Sequence, residues 1–389
     1  MSTQLQSWQR STIRNSMARY RRAQEDYYVS GKPLVELEDG SKAFSLVSPP
    51  LGSPAARRRM RRIVDNMMKG GDPVAQLAVR TPHVTTIAVT YACQCDCAHC
   101  SAADYRAETA QTGTALSCDE LKNAIAQVVE LGTTCVILTG GEPLVFSGIY
   151  DLIASVDSSR SVCTMFTNGE YLVEETVARL KAAGLFGVYV SLDHADPARH
   201  DTNRGRPGLS ERALRGLTLC REAGILTGIS TYATREKIGN GELDDLMDLA
   251  RQQQVLEVFL FDVIPTGRLS GQHECLLSDE EATQIVEFRR KYTSKPDYPR
   301  IVHQTMFASI AYPCVAEGCP AAMVQMHLRA NGDVSPCDFT PHSFGNIRTQ
   351  SLGEIWVAMA KSDLYATPSA RCRLSRPDFW AKLDSLAVR

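Results

Sequence analysis

From about residue 84 to 298 the chain alternates short β-branched runs with segments of helical period, and this repeat constrains the fold more than any other feature. Six strand candidates read VTTIAVTYA (84–92), TCVILTGG (134–141), SVCTMFTNG (161–169), GVYVSLD (187–193), LTGISTYAT (226–234) and VLEVFLFDVIP (255–265). Helical patterns follow each of them, among them LSCDELKNAIAQVVELG (116–132), with Ser117 as N-cap, Glu120 three residues on and Gly132 as its stop. Strands linked through helices pair in parallel with right-handed crossovers. Six units are too few for a closed eight-stranded barrel, so an α/β fold is expected: an open, partial (β/α)6 barrel with its working loops at the strand C-terminal ends.

The polar start MSTQLQSWQRSTIRNS carries no signal-peptide core, and no window approaches about 18 consecutive apolar residues. A cytoplasmic location without transmembrane segments is therefore expected. A formal net charge of -2 gives no global pull toward nucleic acid, and no nucleic-acid partner is expected. A reducing compartment keeps the 13 cysteines free of disulfides and directs attention to metal ligation. Cys118, Cys135, Cys163, Cys220 and Cys275 stand alone in apolar or helical stretches and read as small buried hydrophobes.

Cys93, Cys97 and Cys100 form C-x3-C-x2-C directly after the first strand. Three thiolates hold three irons of a cubane and leave the fourth open to a small molecule. A zinc knuckle would want a second cysteine pair nearby, and none is present. Spacing alone leaves a C-x-C-x2-C set starting at Cys95 open.

Through YACQCDCAHC (91–100) after the first strand and TGGEP (139–143) after the second, the chain resembles the radical S-adenosylmethionine (SAM) superfamily. The family's three-residue gap selects Cys93 over Cys95. The resemblance implies a [4Fe–4S] cluster whose open iron is chelated by the amino and carboxylate groups of SAM. It also implies that the turn Gly140-Gly141-Glu142-Pro143 accepts hydrogen bonds from the SAM amino group. TNG (167–169), SLD (191–193) and HADPARHDTNRGRPG (194–208) are similar to the branch containing the molybdopterin-biosynthesis cyclase, the sulfatase-maturating enzymes and the peptide-modifying SPASM proteins. By that likeness Ser191 and Arg204 contact the SAM carboxylate or ribose, with Thr167 and Asn168 nearby. Asp193 and Asn168 also read as caps of the helices that follow. His99 takes a place where the family often has an aromatic and is expected to stack near SAM, and PTGRL (265–269) resembles the adenine-side loop.

Beyond about residue 300 the helix–strand alternation gives way to cysteines, glycines and prolines. Gly332 to Cys337, with GNI and SLGEIW after it, resembles the SPASM or shorter Twitch extension. By that resemblance Cys314, Cys319, Cys337 and Cys372 supply the ligands of one auxiliary [4Fe–4S] cluster. The late C-x2-C-x5-C group of full SPASM domains is absent. The division expected is a helical arm or cap over 1–83, broken at SPPLGSP (48–54), the barrel over 84–298, and the auxiliary-cluster domain over 299–389. The basic run ARRRMRRI (56–63) reads as a solvated helix face, with an acidic partner as the alternative.

The activity implied is reductive cleavage of SAM to a 5′-deoxyadenosyl radical that takes hydrogen from a substrate, the electron coming from an external reductant such as flavodoxin or ferredoxin. The substrate reading leans slightly to a peptide. The alternative is a small biosynthetic intermediate such as a sugar or tetrapyrrole. A non-enzymatic iron–sulfur relay is a third reading, but it would need neither an open iron nor SAM-binding turns.

Overall fold

The computed structural model describes residues 31–68, 81–306 and 318–387. A short hairpin, β1 (Val35–Glu36) and β2 (Lys42–Ala43), precedes helix α1 (Pro54–Met68). The six expected strands follow as β3 (Val84–Thr90), β4 (Cys135–Gly140), β5 (Val162–Thr167), β6 (Gly187–Ser191), β7 (Leu226–Ala233) and β8 (Glu257–Asp262). Each pairs in parallel with the next. Helices cover one face of the sheet, which explains why these strands read as nearly continuous apolar runs.

The connecting helices include α2 (Ala103–Thr112), α3 (Cys118–Leu131), α4 (Ile149–Ala154), α5 (Glu174–Ala182), α6 (Pro197–Arg204), α7 (Leu209–Glu222), α8 (Arg235–Asn240), α9 (Glu242–Gln252) and α10 (Asp279–Thr293). In α3 the expected capping box forms, with Ser117 Oγ accepting from Glu120 N at 3.2 Å and Glu120 Oε2 from Ser117 N at 2.8 Å. The short helices α2, α6 and α8 were not evident from periodicity. In α6 it is Asp196, not Asp193, that caps the N-terminus.

Segments on the C-terminal side of residue 298 extend this sheet at both edges. Strand β9 (Arg300–His303) pairs in parallel with β8, while β10 (Gln325–Leu328) pairs in parallel with β3 and antiparallel with β11 (Val334–Ser335). Helices α11 (Leu352–Lys361) and α12 (Pro377–Ala387) complete the described chain. Ile355, Trp356 and Met359 of α11 belong to the same apolar core as the barrel.

Of the expected helical arm, the described residues 54–68 are helical, whereas 31–53 are not and their buried part plugs the barrel. Ala43, Phe44, Ser45, Leu46 and Val47 are all buried. Leu46 N donates to Glu257 Oε1 at 2.7 Å and Leu46 O accepts from Thr164 Oγ1 at 2.7 Å, at the N-terminal ends of the strands. The basic run is neither simply solvated nor free for a partner. Arg58 donates to Val129 O, and Arg62 to Leu131 O at 2.8 Å and Glu130 O at 2.7 Å, so both guanidiniums satisfy the open carbonyls at the C-terminus of α3. Arg59 is buried on Ser48 Oγ at 2.7 Å, and only Arg57 and Arg61 of the five arginines are exposed.

Candidate active site

The cysteine loop leaves β3 at the C-terminal end of the sheet and is fastened by backbone to three neighbours. Asp96 N donates to Arg204 O and Ala98 N to Asn203 O, each at 2.9 Å, and Arg268 N donates to Cys100 O at 3.0 Å. Arg106 of α2 adds bonds to Cys93 O at 2.9 Å and Cys95 O at 3.0 Å. Cys95 is buried, whereas Cys93, Cys97 and Cys100 are partly open, and all four line one cavity of about 290 Å³. A hydrogen bond with Cys95 draws the Cys93 thiol down to about 7, toward the thiolate that iron requires, and Cys97 is lowered for the same reason. Cys95 itself is pushed up by these bonds. Burial raises the Cys100 thiol. Three partly open thiols around one cavity, with Cys95 buried behind them, are a donor set that fits a cluster on Cys93, Cys97 and Cys100. Among the described residues no three such side chains converge as one metal ion would require; a cubane needs its thiolates spread around four irons.

Gly140 and Gly141 line the same cavity, and they have a second reason to be glycine. A Cβ on Gly140 would stand 2.1 Å from Thr90 O, and one on Gly141 2.3 Å from Ala92 O, so only glycine lets this turn lie against the exit of β3. The Glu142 carboxylate, expected to add an acceptor for SAM, is directed elsewhere. It is fully buried and accepts from Thr167 Oγ1 at 2.7 Å, Asn168 N at 2.8 Å and Leu144 N at 3.1 Å. Burial raises its pKa to about 7. Glu142 therefore ties the Gly-Gly-Glu-Pro turn to the Thr167-Asn168 turn, and Pro143 is buried behind it. Thr167 and Asn168 also line the cavity, with Asn168 Nδ2 4.0 Å from Cys93 Sγ.

Opposite them Arg204 forms a buried bidentate pair with Asp193, Nε to Oδ2 and a terminal nitrogen to Oδ1, both 2.8 Å. Asn203 donates to Asp193 Oδ2 and to Tyr232 Oη at 2.8 Å, and Lys237 Nζ donates to Asp193 O at 2.6 Å. Burial would raise the Asp193 pKa, but Arg204, by charge and hydrogen bonds, and Lys237 overcome it and hold the carboxyl well below its usual range. His99 lies against Tyr232 with ring centroids 4.2 Å apart and the planes tilted by 41°. Burial lowers its pKa to about 4. Ser191 Oγ lies 3.1 Å from Ser230 Oγ and both face the cavity. Asp193 and Asn203 fall inside the SLD (191–193) and 194–208 stretches without having been assigned this role, whereas Tyr232 and Lys237 had no motif, and their sequence signal is position at or just after the end of β7.

Cys319, Cys337 and Cys372 line this cavity too, although 219 or more residues separate them from Cys100. Cys314 lies outside the described residues. Gly267 of the Pro-Thr-Gly-Arg-Leu loop packs on the cysteine loop, where a Cβ would stand 2.2 Å from Cys100 O, and Leu269 reaches the cavity. Between the two cysteine sets the wall is aromatic: Phe259 and Phe261 centroids are 4.4 Å apart, Phe166 lies beside them, and Phe339 closes in 5.9 Å from Phe261.

Residues 87–266 match the radical SAM superfamily, and residues 319–374 match SPASM, an iron–sulfur cluster-binding domain. The chain belongs to the radical SAM superfamily and carries a C-terminal SPASM domain. It is an enzyme that uses SAM and a [4Fe–4S] cluster, with further iron–sulfur ligation in the SPASM domain. It is 29% identical over 286 residues to the AdoMet-dependent heme synthase of Nitratidesulfovibrio vulgaris, covering 69% of this chain and 77% of that one. To the Fe-coproporphyrin III synthase of Methanosarcina barkeri it is 27% identical over 296 residues, 70% of this chain and 73% of that one. Among solved structures, Streptococcus suis SuiB bound to precursor peptide SuiA shares the fold with a TM-score of 0.60 at 17% identity, over 80% of this chain and 70% of that one. No helix among the described residues is long and apolar enough to cross a membrane.

Proposed function

We propose that this enzyme oxidises or rearranges a tetrapyrrole intermediate by hydrogen abstraction, the small-molecule alternative of the sequence reading and not the peptide toward which that reading leaned. The carrying observation is the similarity, over about 70% of the chain, to relatives named for heme and Fe-coproporphyrin. The aromatic wall of Phe166, Phe259, Phe261 and Phe339 supports it, since a flat conjugated ring stacks on such faces. The likeness to SuiB speaks for the fold alone.

In this reading Cys93, Cys97 and Cys100 hold the cluster that supplies the electron for SAM cleavage. The backbone of Gly140 and Gly141 receives the SAM amino group. Ser191 and the Arg204 nitrogen not spent on Asp193 face the SAM carboxylate or ribose, and His99 with Tyr232 forms an aromatic wall beside them. The aromatic residues hold the substrate and exclude water. Cys319, Cys337 and Cys372, with Cys314, hold one auxiliary cluster.

Anaerobic incubation of the reconstituted enzyme with SAM, dithionite and iron coproporphyrin III tests the substrate. A change in tetrapyrrole mass matched by 5′-deoxyadenosine is expected; 5′-deoxyadenosine with an unaltered tetrapyrrole would sink the reading. Counting iron tests the ligands. About eight irons in the wild type should fall to about four in Cys337→Ala, whereas about four in both would remove the auxiliary cluster.

A further inference from the structure

One polar cluster in the cavity takes no part in the SAM end of the site. His327 of β10 lies in register with Thr86 of β3, and its ring is 4% exposed. Its Nδ1 is 2.8 Å from Thr86 Oγ1 and 3.3 Å from Asp338 Oδ1. The Thr86 hydroxyl donates to Asp338 Oδ2 at 3.0 Å, and Gln325 Nε2 donates to the same oxygen at 2.9 Å. Thr86 Oγ1 and Asp338 Oδ1 thus both lie against Nδ1, which orients the ring and leaves Nε2 as the ring nitrogen available to a ligand. No described residue bonds to Nε2, while His327, Thr86, Gln325 and Asp338 all line the cavity.

The other basic groups of the lining, His99, Arg106 and Arg204, gather at the cysteine loop and the Asp193 network, His99 lying against Tyr232 with its Nδ1 3.2 Å from Asn203 Nδ2. Arg106 donates to Cys93 O and Cys95 O, and Arg204 is paired with Asp193. Asp262, also in the wall, is held by His303 Nε2 at 2.9 Å and Gln304 Nε2 at 3.0 Å. Away from the cysteine loop and the Asp193 network, His327 is the basic side chain among the described lining residues, and its Nε2 is not bonded to any of them.

We propose that His327, oriented by Asp338 and Thr86, binds a carboxylate substituent of the substrate. This rests on the tetrapyrrole reading and adds to it how the ring is oriented: an acidic arm on His327 and the conjugated face on the aromatic wall. The position joins the two parts of the chain, because His327 and Asp338 come from the SPASM segment while Thr86 comes from the first barrel strand. Asp338 is a positioning residue in this scheme, acting through the imidazole.

Anaerobic absorbance titration of the full-length, cluster-loaded protein with iron coproporphyrin III and with its tetramethyl ester tests this. The wild type should bind the acid at least about ten-fold tighter than the ester, the worth of one hydrogen bond to a charged group. His327→Ala should lose most of that preference while ester binding and iron content stay near wild type, and His327→Gln, which keeps a donor, should regain part of it. Unchanged acid binding in His327→Ala overturns the inference and leaves the tetrapyrrole reading standing. Equal loss of acid and ester also overturns it, by showing a packing role. A wild type that binds neither compound removes the substrate reading and this inference with it.

Discussion

Asp193 holds together more of the SAM end of the site than the motif residues do. Its carboxylate is shared by Arg204 and Asn203, its carbonyl accepts from Lys237, and its N–H donates to His200 Nδ1 at 3.1 Å. Asp193→Asn leaves Arg204 buried without a counter-charge, which should cost about 3–5 kcal/mol of stability and weaken SAM binding. Because the folded pKa lies well below the unfolded value of about 3.9, the contribution is complete above that value and is lost only as pH falls further through the folded pKa. Urea denaturation should therefore show the same gap between wild type and variant at about pH 7.5 and about pH 5. A gap that shrinks by half over that range would show that Asp193 is not held ionised by Arg204. Sequence alone offered Asp193 as a helix cap. Its partners lie 7 to 44 positions away, a separation at which no local pattern registers.

At the scale of elements, legibility follows the range of the interactions. The six barrel strands, the α3 capping box and the Cys93 to Cys100 loop depend on neighbours within a few residues, and each stands where the pattern put it. The N-terminal plug does not. AFSLV (43–47) is too short and aperiodic to announce a partner, and its partners Thr164 and Glu257 are more than 100 residues on. The arginines of α1 likewise looked like a solvated stripe because the carbonyls they meet belong to α3. Leu46→Ala tests the plug. Leu46 is fully buried at the foot of the barrel, and its truncation should cost about 2–5 kcal/mol by leaving a cavity there. A loss below about 1 kcal/mol in urea unfolding would mean that the floor is closed by something other than this segment.

For the whole molecule, the decisive feature is that the chain after residue 298 is woven into the barrel on both sides. Strand β10 runs in register with β3 from Gln325 against Val84 to Leu328 against Ile87, and β9 covers the outer edge of β8. Helix α11 is anchored on α3 through Leu352 N to Gln127 Oε1 at 3.1 Å and buries Trp356 in the barrel's own core. Arg348, just before it, donates to Glu120 Oε1 at 2.7 Å in the α3 capping box. The two halves of the cavity arise from this weave, with Thr86 on one strand and His327 on its neighbour. A chain ending at residue 298 would expose the unpaired edges of β3 and β8, together with the apolar faces that β9, β10 and α11 cover. Two open, apolar sheet edges are a template for aggregation. Expression of residues 1–298 should accordingly give insoluble protein, or soluble aggregates that elute in the void volume of a sizing column, with no SAM cleavage after reconstitution. A monodisperse 1–298 fragment that binds about four irons and forms 5′-deoxyadenosine would show that the barrel is a self-sufficient domain and that the shared sheet is dispensable for SAM chemistry.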